Sequence, residues 1–94
     1  MSKVKKKHGS ALITGAGQRI GRAIALKLAS LGYSIAIHYN RSKRKALTLA
    51  SEIKKFGVEA HVFGCDLTDS DDTQDFIEQV FKKFPSLNIV INNA

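Results

Sequence analysis

Ser10-Ala11-Leu12-Ile13-Thr14-Gly15-Ala16-Gly17-Gln18-Arg19-Ile20-Gly21 is the stretch on which the reading of this chain turns. It opens on a short apolar run, 10–13, passes through a glycine-rich turn and enters a segment with apolar residues at Ile20, Ala23, Ile24, Leu28 and Leu31. That spacing is the stripe of an amphipathic helix, so the stretch reads as strand, turn, helix. A glycine turn of this kind lets backbone N–H groups approach a phosphate, and the helix that follows presents its positive end to it. Glycine is required because a Cβ would crowd the turn or hold the ligand away. A dinucleotide-binding unit is the sharp reading; an ordinary strand-to-helix turn, with glycines serving geometry alone, is the plain one.

The rest of the chain repeats the alternation. Gly32 stops the first helix, and 34–39 (Ser-Ile-Ala-Ile-His-Tyr) reads as a second strand. A second helix carries Ala46, Leu47, Leu49, Ala50, Ile53 and Phe56 on its apolar side and stops at Gly57. A third strand follows at 60–64. A third helix shows Phe76, Ile77, Val80, Phe81 and Phe84, with Asp69, Ser70, Asp71 and Asp72 crowding its start and Pro85 stopping it. The last strand is 87–91. The β-α-β-α-β-α-β order implies an α/β fold, the N-terminal half of a Rossmann-type doubly wound parallel sheet with right-handed crossovers and spatial order 3-2-1-4. Its crevice is expected at the carboxyl ends of strands one and four. Residues 1–8 read as a basic flexible arm, and 9–94 as a partial dinucleotide-binding domain.

The end of the second strand bears on which dinucleotide. An NAD-binding domain places an Asp or Glu here, on the adenosine ribose hydroxyls. This chain has Asn40-Arg41-Ser42 and no acid. A carboxylate repels a 2′-phosphate, whereas a guanidinium pairs with it through two parallel bonds. Arg41, with the Ser42 hydroxyl and with Arg19 reaching from the glycine loop, therefore favours NADP. The bland alternative for Arg41 is a solvated cation beside Lys43 and Arg44.

The dinucleotide fingerprint G-x-G-x-x-G is not matched, because Gly21 falls one residue late. The spacing resembles instead the short-chain dehydrogenase/reductase pattern Thr-Gly-x-x-x-Gly-x-Gly, with Arg19 in place of the middle glycine. Pteridine-reductase-like members carry a similar Thr-Gly-Ala-x-x-Arg-x-Gly loop, and the run His38-Tyr39-x-x-Ser42 resembles theirs as well. Two further matches follow in order. Asp66-Leu67, after the third strand, resembles the family's Asp–apolar pair at the adenine ring, with local capping by Asp66 as the rival reading. Asn92-Asn93-Ala94 resembles the start of the Asn-Asn-Ala-Gly motif, which implies Asn93 near the cofactor ribose. The resemblance runs from about Gly9 to Ala94. It implies NADPH as cofactor, held by Gly15, Gly17, Gln18, Arg19, Ile20, Asn40, Arg41, Ser42, Asp66, Leu67 and Asn93. It also implies hydride transfer to a small-molecule carbonyl or a pterin-type C=N bond, and a homo-oligomeric full-length protein. The family's catalytic Ser or Asp and its Tyr-x-x-x-Lys belong past Ala94, so these residues are expected to be an inactive fragment. Tyr39 and Lys43 match the bare Tyr-x-x-x-Lys spacing but lie at the adenosine end.

Composition narrows the alternatives. Of 94 residues 44% are hydrophobic and 24% charged, with one cysteine and a net charge of +7. No apolar run approaches the ~18 residues of a membrane span, and no apolar core follows the N-terminal lysines as in a secretory signal. A lone Cys65 fits a reducing, cytoplasmic setting and reads as a buried, inert thiol. A non-catalytic NADP-binding module uses the same residues. A nucleic-acid binder acting through Lys3, Lys5, Lys6 and Lys7 ranks last, because the arm is short and lacks interleaved aromatics. The apolar edge of the last strand, in a chain that buries only roughly 60–65% of its unfolded surface, predicts marginal stability or self-association.

Overall fold

A computed structural model describes residues 9–94; the lysine arm lies outside the described residues. Four strands, β1 (Gly9–Ile13), β2 (Tyr33–Tyr39), β3 (Ala60–Gly64) and β4 (Leu87–Ile91), alternate with three helices, α1 (Arg19–Ser30), α2 (Lys43–Lys54) and α3 (Ser70–Lys83). The strands form one parallel sheet in the order β3-β2-β1-β4, the order expected from the alternation.

Strand parity sorts the core into two layers. Ala11, Ile13, Ile35 and Ile37 face α1 and α2, while Leu12, Ala36, Phe63 and Cys65 face α3. Both faces of β1 and β2 are covered, which is why these strands are almost uninterrupted apolar runs rather than alternating ones. On α1 the buried stripe is Gly21, Ala25 and Ala29, small residues one turn apart that let the helix lie close on the sheet. On α2 it is Ala46, Leu49, Ala50 and Ile53, and on α3 Phe76 and Val80, followed by Phe84. The acidic start of α3 acts as a cap. The Asp69 carboxylate accepts from the Asp71 and Asp72 backbone N–H groups at 3.0 and 3.1 Å. Arg22 of α1 and Glu52 of α2 close an ion pair at 2.6 Å across the first layer.

The α3 layer is incomplete over β4. Val90 pairs with Leu12 in register and so shares the α3 face, yet it is 61% exposed, and Ile77 and Phe81 on α3 are exposed too. None of the helices among the described residues is long and apolar enough to cross a membrane.

Candidate dinucleotide site

All four strands deliver their carboxyl ends to one side of the sheet, where the glycine loop leaves β1 between the ends of β2 and β4. The loop is tied to both neighbours. Toward β4, the Thr14 hydroxyl accepts from the backbone N–H groups of Asn93 and Ala94 at 2.9 and 3.0 Å and donates to Asn92 Oδ1 at 3.3 Å. Asn93 returns the contact, its Nδ2 donating to the Gly15 carbonyl at 3.0 Å. Toward β2, His38 grips the loop twice. Its carbonyl accepts from Ala16 N–H at 3.1 Å, and its ring Nδ1 accepts from Gly15 N–H at 3.0 Å. Since Nδ1 accepts, Nε2 carries the hydrogen and donates it to the Cys65 carbonyl, 2.9 Å away at the end of β3. One buried imidazole thus joins the ends of three strands.

Two glycines are fixed by this arrangement. Gly15 sits at φ +61°, in the left-handed region. A Cβ on Gly21 would lie 2.5 Å from Asn93 Nδ2 and 2.7 Å from the Gly15 carbonyl oxygen, so α1 cannot seat against the loop with any larger residue there. Arg19 takes the left-handed conformation as well, at φ +57°, the one non-glycine residue with positive φ among those described. α1 begins with no side-chain cap from Gln18 and no acid in its first turn. Its leading N–H groups and its dipole are therefore available to an anion.

Besides a cleft lined by Gly17, Arg22, Arg44, Lys45 and Thr48, two clefts flank the loop. The first, of about 250 Å³, is lined by Gly15, Gly17 and Gln18 of the loop, by Tyr39, Asn40, Arg41 and Ser42 at the end of β2, and by Lys45 of α2. The second, of about 350 Å³, is lined by Gly15, Gln18, Arg19, Ile20, Asn93 and Ala94. No Asp or Glu side chain lines either one. Six of the sequence-derived residues (Gly15, Gly17, Gln18, Asn40, Arg41 and Ser42) thus meet in the first cleft. Arg19, Ile20 and Asn93 meet in the second, so Arg19 and Arg41 line different clefts.

Asp66 and Leu67 stand apart, exposed after the end of β3 and lining neither cleft. The Asp66 carboxylate accepts from Thr68 Oγ1 at 2.6 Å and from Thr68 N–H at 3.0 Å, the local turn that was its rival reading. Those two bonds, with a smaller contribution from the Arg41 charge, hold its carboxyl below the usual value. Cys65 is buried, and that burial, aided by the nearby Asp72 and Asp66 carboxylates, pushes its thiol up, so it is not poised as a nucleophile. No group of His, Cys, Asp and Glu among the described residues is arranged to hold a metal ion.

Thr14, Gly21, His38 and Lys45 belong to this region without having been singled out as site residues. Thr14 and Gly21 are the outer positions of the Thr-Gly pattern itself. His38 had its polarity within a buried strand as a signal. Lys45 had only its place on the first turn of the helix after Arg41.

Residues 9–94 match the family model described as short chain dehydrogenase. The chain is 44% identical over 85 residues to the 3-oxoacyl-[acyl-carrier-protein] reductase FabG of Staphylococcus aureus; the match covers 90% of this chain and 35% of that protein. Among solved structures, a dehydrogenase of Burkholderia cenocepacia with bound NADP superposes with a TM-score of 0.86 at 30% identity, over 97% of this chain and 36% of that one. An NAD+-bound xylitol dehydrogenase superposes with a TM-score of 0.88 at 31% identity, over 97% and 35%. The chain therefore spans about a third of the length of the proteins it resembles. Its glycine loop, its strand order and the Asn92-Asn93-Ala94 run after β4, latched onto Thr14, are those of a family member: the chain belongs to the short chain dehydrogenases.

Proposed function

We propose that residues 9–94 bind the adenosine and pyrophosphate portions of NADPH in a reductase that acts on a carbonyl or a pterin-type C=N bond. The observation that carries this reading is the first cleft, where Arg41, Ser42 and Lys45 gather beside the glycine loop with no carboxylate in the lining. A 2′-phosphate fits such a donor set, and a carboxylate at the end of β2 would oppose it. Arg41 and Ser42 are assigned to that phosphate. Gly15, Gly17 and the open start of α1 admit the pyrophosphate, with Gln18, Arg19 and Ile20 beside it. Asn40 stands at the adenosine, and Asp66 and Leu67 are assigned to the adenine edge, Asp66 through its carboxylate, since both Thr68 bonds fall on Oδ1 while its backbone N–H is taken by Asp72. Asn93, in the second cleft, is assigned to the ribose nearer the nicotinamide. When bound, the reduced nicotinamide supplies the hydride.

The bound NADP of the Burkholderia dehydrogenase supports the cofactor, although the xylitol dehydrogenase shows that the fold also accepts NAD+. The name of the Staphylococcus relative supports a carbonyl, a 3-oxoacyl group, over a pterin. Pteridine-like features rest on the loop containing Arg19 and on His38-Tyr39-x-x-Ser42.

The test is Arg41→Asp in the full-length protein, titrated with NADPH and NADH. A hydrogen bond to a charged group contributes about 1.5–3 kcal/mol, so NADPH affinity should fall at least ~10-fold further than NADH affinity. Equal losses for the two cofactors refute the 2′-phosphate role.

A further inference from the structure

Lys45 is a cation that the sequence reading did not bring to this site. Its Nζ donates to Gln18 Oε1 at 2.5 Å, which carries the ammonium from the first turn of α2 to the glycine loop, into the cleft that Arg41 and Ser42 line. The stem lies close along the loop, because a Cβ built on Gly17 would stand 3.4 Å from Lys45 Cβ. Gln18 orients the charge without cancelling it, since an amide oxygen is neutral. No carboxylate of the described residues pairs with Lys45, in contrast to Arg22 nearby, which Glu52 neutralises. Arg19, the residue first expected to complete the pair with Arg41, lines the other cleft.

We infer that Lys45, held by Gln18, is a specificity-determining residue for the adenosine 2′-phosphate, facing Arg41 across the cleft. This rests on the NADPH reading above. The dianionic phosphate then meets a planar guanidinium from the end of β2 and a compact ammonium from α2, and Ser42 supplies a hydroxyl between them in sequence. An adenosine that lacks the 2′-phosphate offers Lys45 no anion, so the residue discriminates between cofactors instead of adding affinity to both. Gln18 is the positioning residue. It holds a flexible four-carbon side chain against the loop, which lowers the rotamer entropy lost when the phosphate arrives.

The experiment is calorimetric titration of the full-length protein with NADPH and NADH at two salt concentrations, for wild type, Lys45→Met, Lys45→Arg, Gln18→Leu, Arg41→Ala and the Gln18→Leu/Lys45→Met double variant. Lys45→Met should weaken NADPH about five- to tenfold, change NADH less than about twofold, and flatten the salt dependence of NADPH binding. Lys45→Arg should restore most of the loss. NADH affinity in the same titrations reports that the fold is intact, and Lys45 is exposed, so its truncation leaves no cavity. If Lys45→Met has no selective effect while Arg41→Ala still does, the Lys45 proposal fails and the NADPH reading stands. If neither is selective, both fall. If Gln18→Leu weakens NADPH as much in the Lys45→Met background as in wild type, the tether is refuted.

Discussion

His38→Phe isolates what the buried imidazole contributes. The side chain is 1% exposed and packs against Phe76 with ring centroids 5.3 Å apart, an apolar contact that phenylalanine keeps. What the substitution removes is both polar contacts of the ring. The Cys65 carbonyl loses its Nε2–H donor at 2.9 Å in a buried setting, and the partly buried Gly15 N–H loses its acceptor at 3.0 Å. A buried group left without a partner costs about 1–3 kcal/mol. With Cys65 taking that range and Gly15 its lower end, the expected loss is roughly 2–4 kcal/mol. The assay is urea unfolding of the full-length protein without cofactor, followed by circular dichroism, with His38→Gln beside it. Its amide offers an acceptor oxygen and an N–H donor in a different geometry, so the glutamine variant should lose less than the phenylalanine one. Cofactor affinity should fall in the same order, because Gly15 is the residue the imidazole fixes. A His38→Phe protein within about 0.5 kcal/mol of wild type would refute the bridge, since that is the range of a surface substitution with no special role.

Three other outcomes follow from the same geometry. Arg19→Gly removes a side chain from φ +57° and should stabilise the protein by up to about 1 kcal/mol in urea unfolding while weakening NADPH; a loss of stability would show that Arg19 is not strained. The Asp66 carboxyl is held below its usual 3.8 by the Thr68 bonds and by Arg41, so its contribution is fully present above that value and is lost as pH falls through the lowered one. Asp66→Asn should therefore lower stability at neutral pH and flatten the acid limb below about pH 4, where the wild type loses that contribution as well; an unchanged profile refutes the role. A peptide of residues 9–94 alone should self-associate through Val90, Ile77 and Phe81, and Val90→Thr with Phe81→Lys should shift it toward monomer in sedimentation velocity; a monomeric wild-type peptide melting cooperatively above ~65 °C overturns this.

The fold was legible because its signals are local. Strands buried on both faces read as apolar runs, and Gly32, Gly57 and Pro85 mark where helices must stop. The third helix announced its start through Asp69, which the structure shows capping Asp71 and Asp72. The glycine loop was legible for the same reason, since its spacing is a property of consecutive residues. His38 was not: within 34–39 it is one polar residue in an apolar strand, and its partners lie 23 residues before it and 27 after it. Asp66 had two readings in sequence, and the bond to Thr68 two residues on supports the local one.

Arg19 and Lys45 show why charge near a site is harder to read than glycine. On sequence, Arg19 is a loop residue next to Gln18 and reads as a natural companion for Arg41, whereas Lys45 is one of three basic residues opening a surface helix. Backbone handedness reverses this. At φ +57° the Cα–Cβ bond of Arg19 leaves the loop in a different direction from that of a right-handed residue, and its side chain lines the cleft with Ile20 and Asn93. Lys45, by contrast, inherits its direction from α2, whose Cβ atoms tilt toward the helix start and hence toward the end of β2. A long flexible side chain projected that way reaches Gln18, and the cleft with Arg41 acquires its second cation from the helix rather than from the loop. The pattern Thr-Gly-x-x-x-Arg-x-Gly therefore specifies where the backbone turns, but the sign of φ at its sixth position decides which cleft its charge lines.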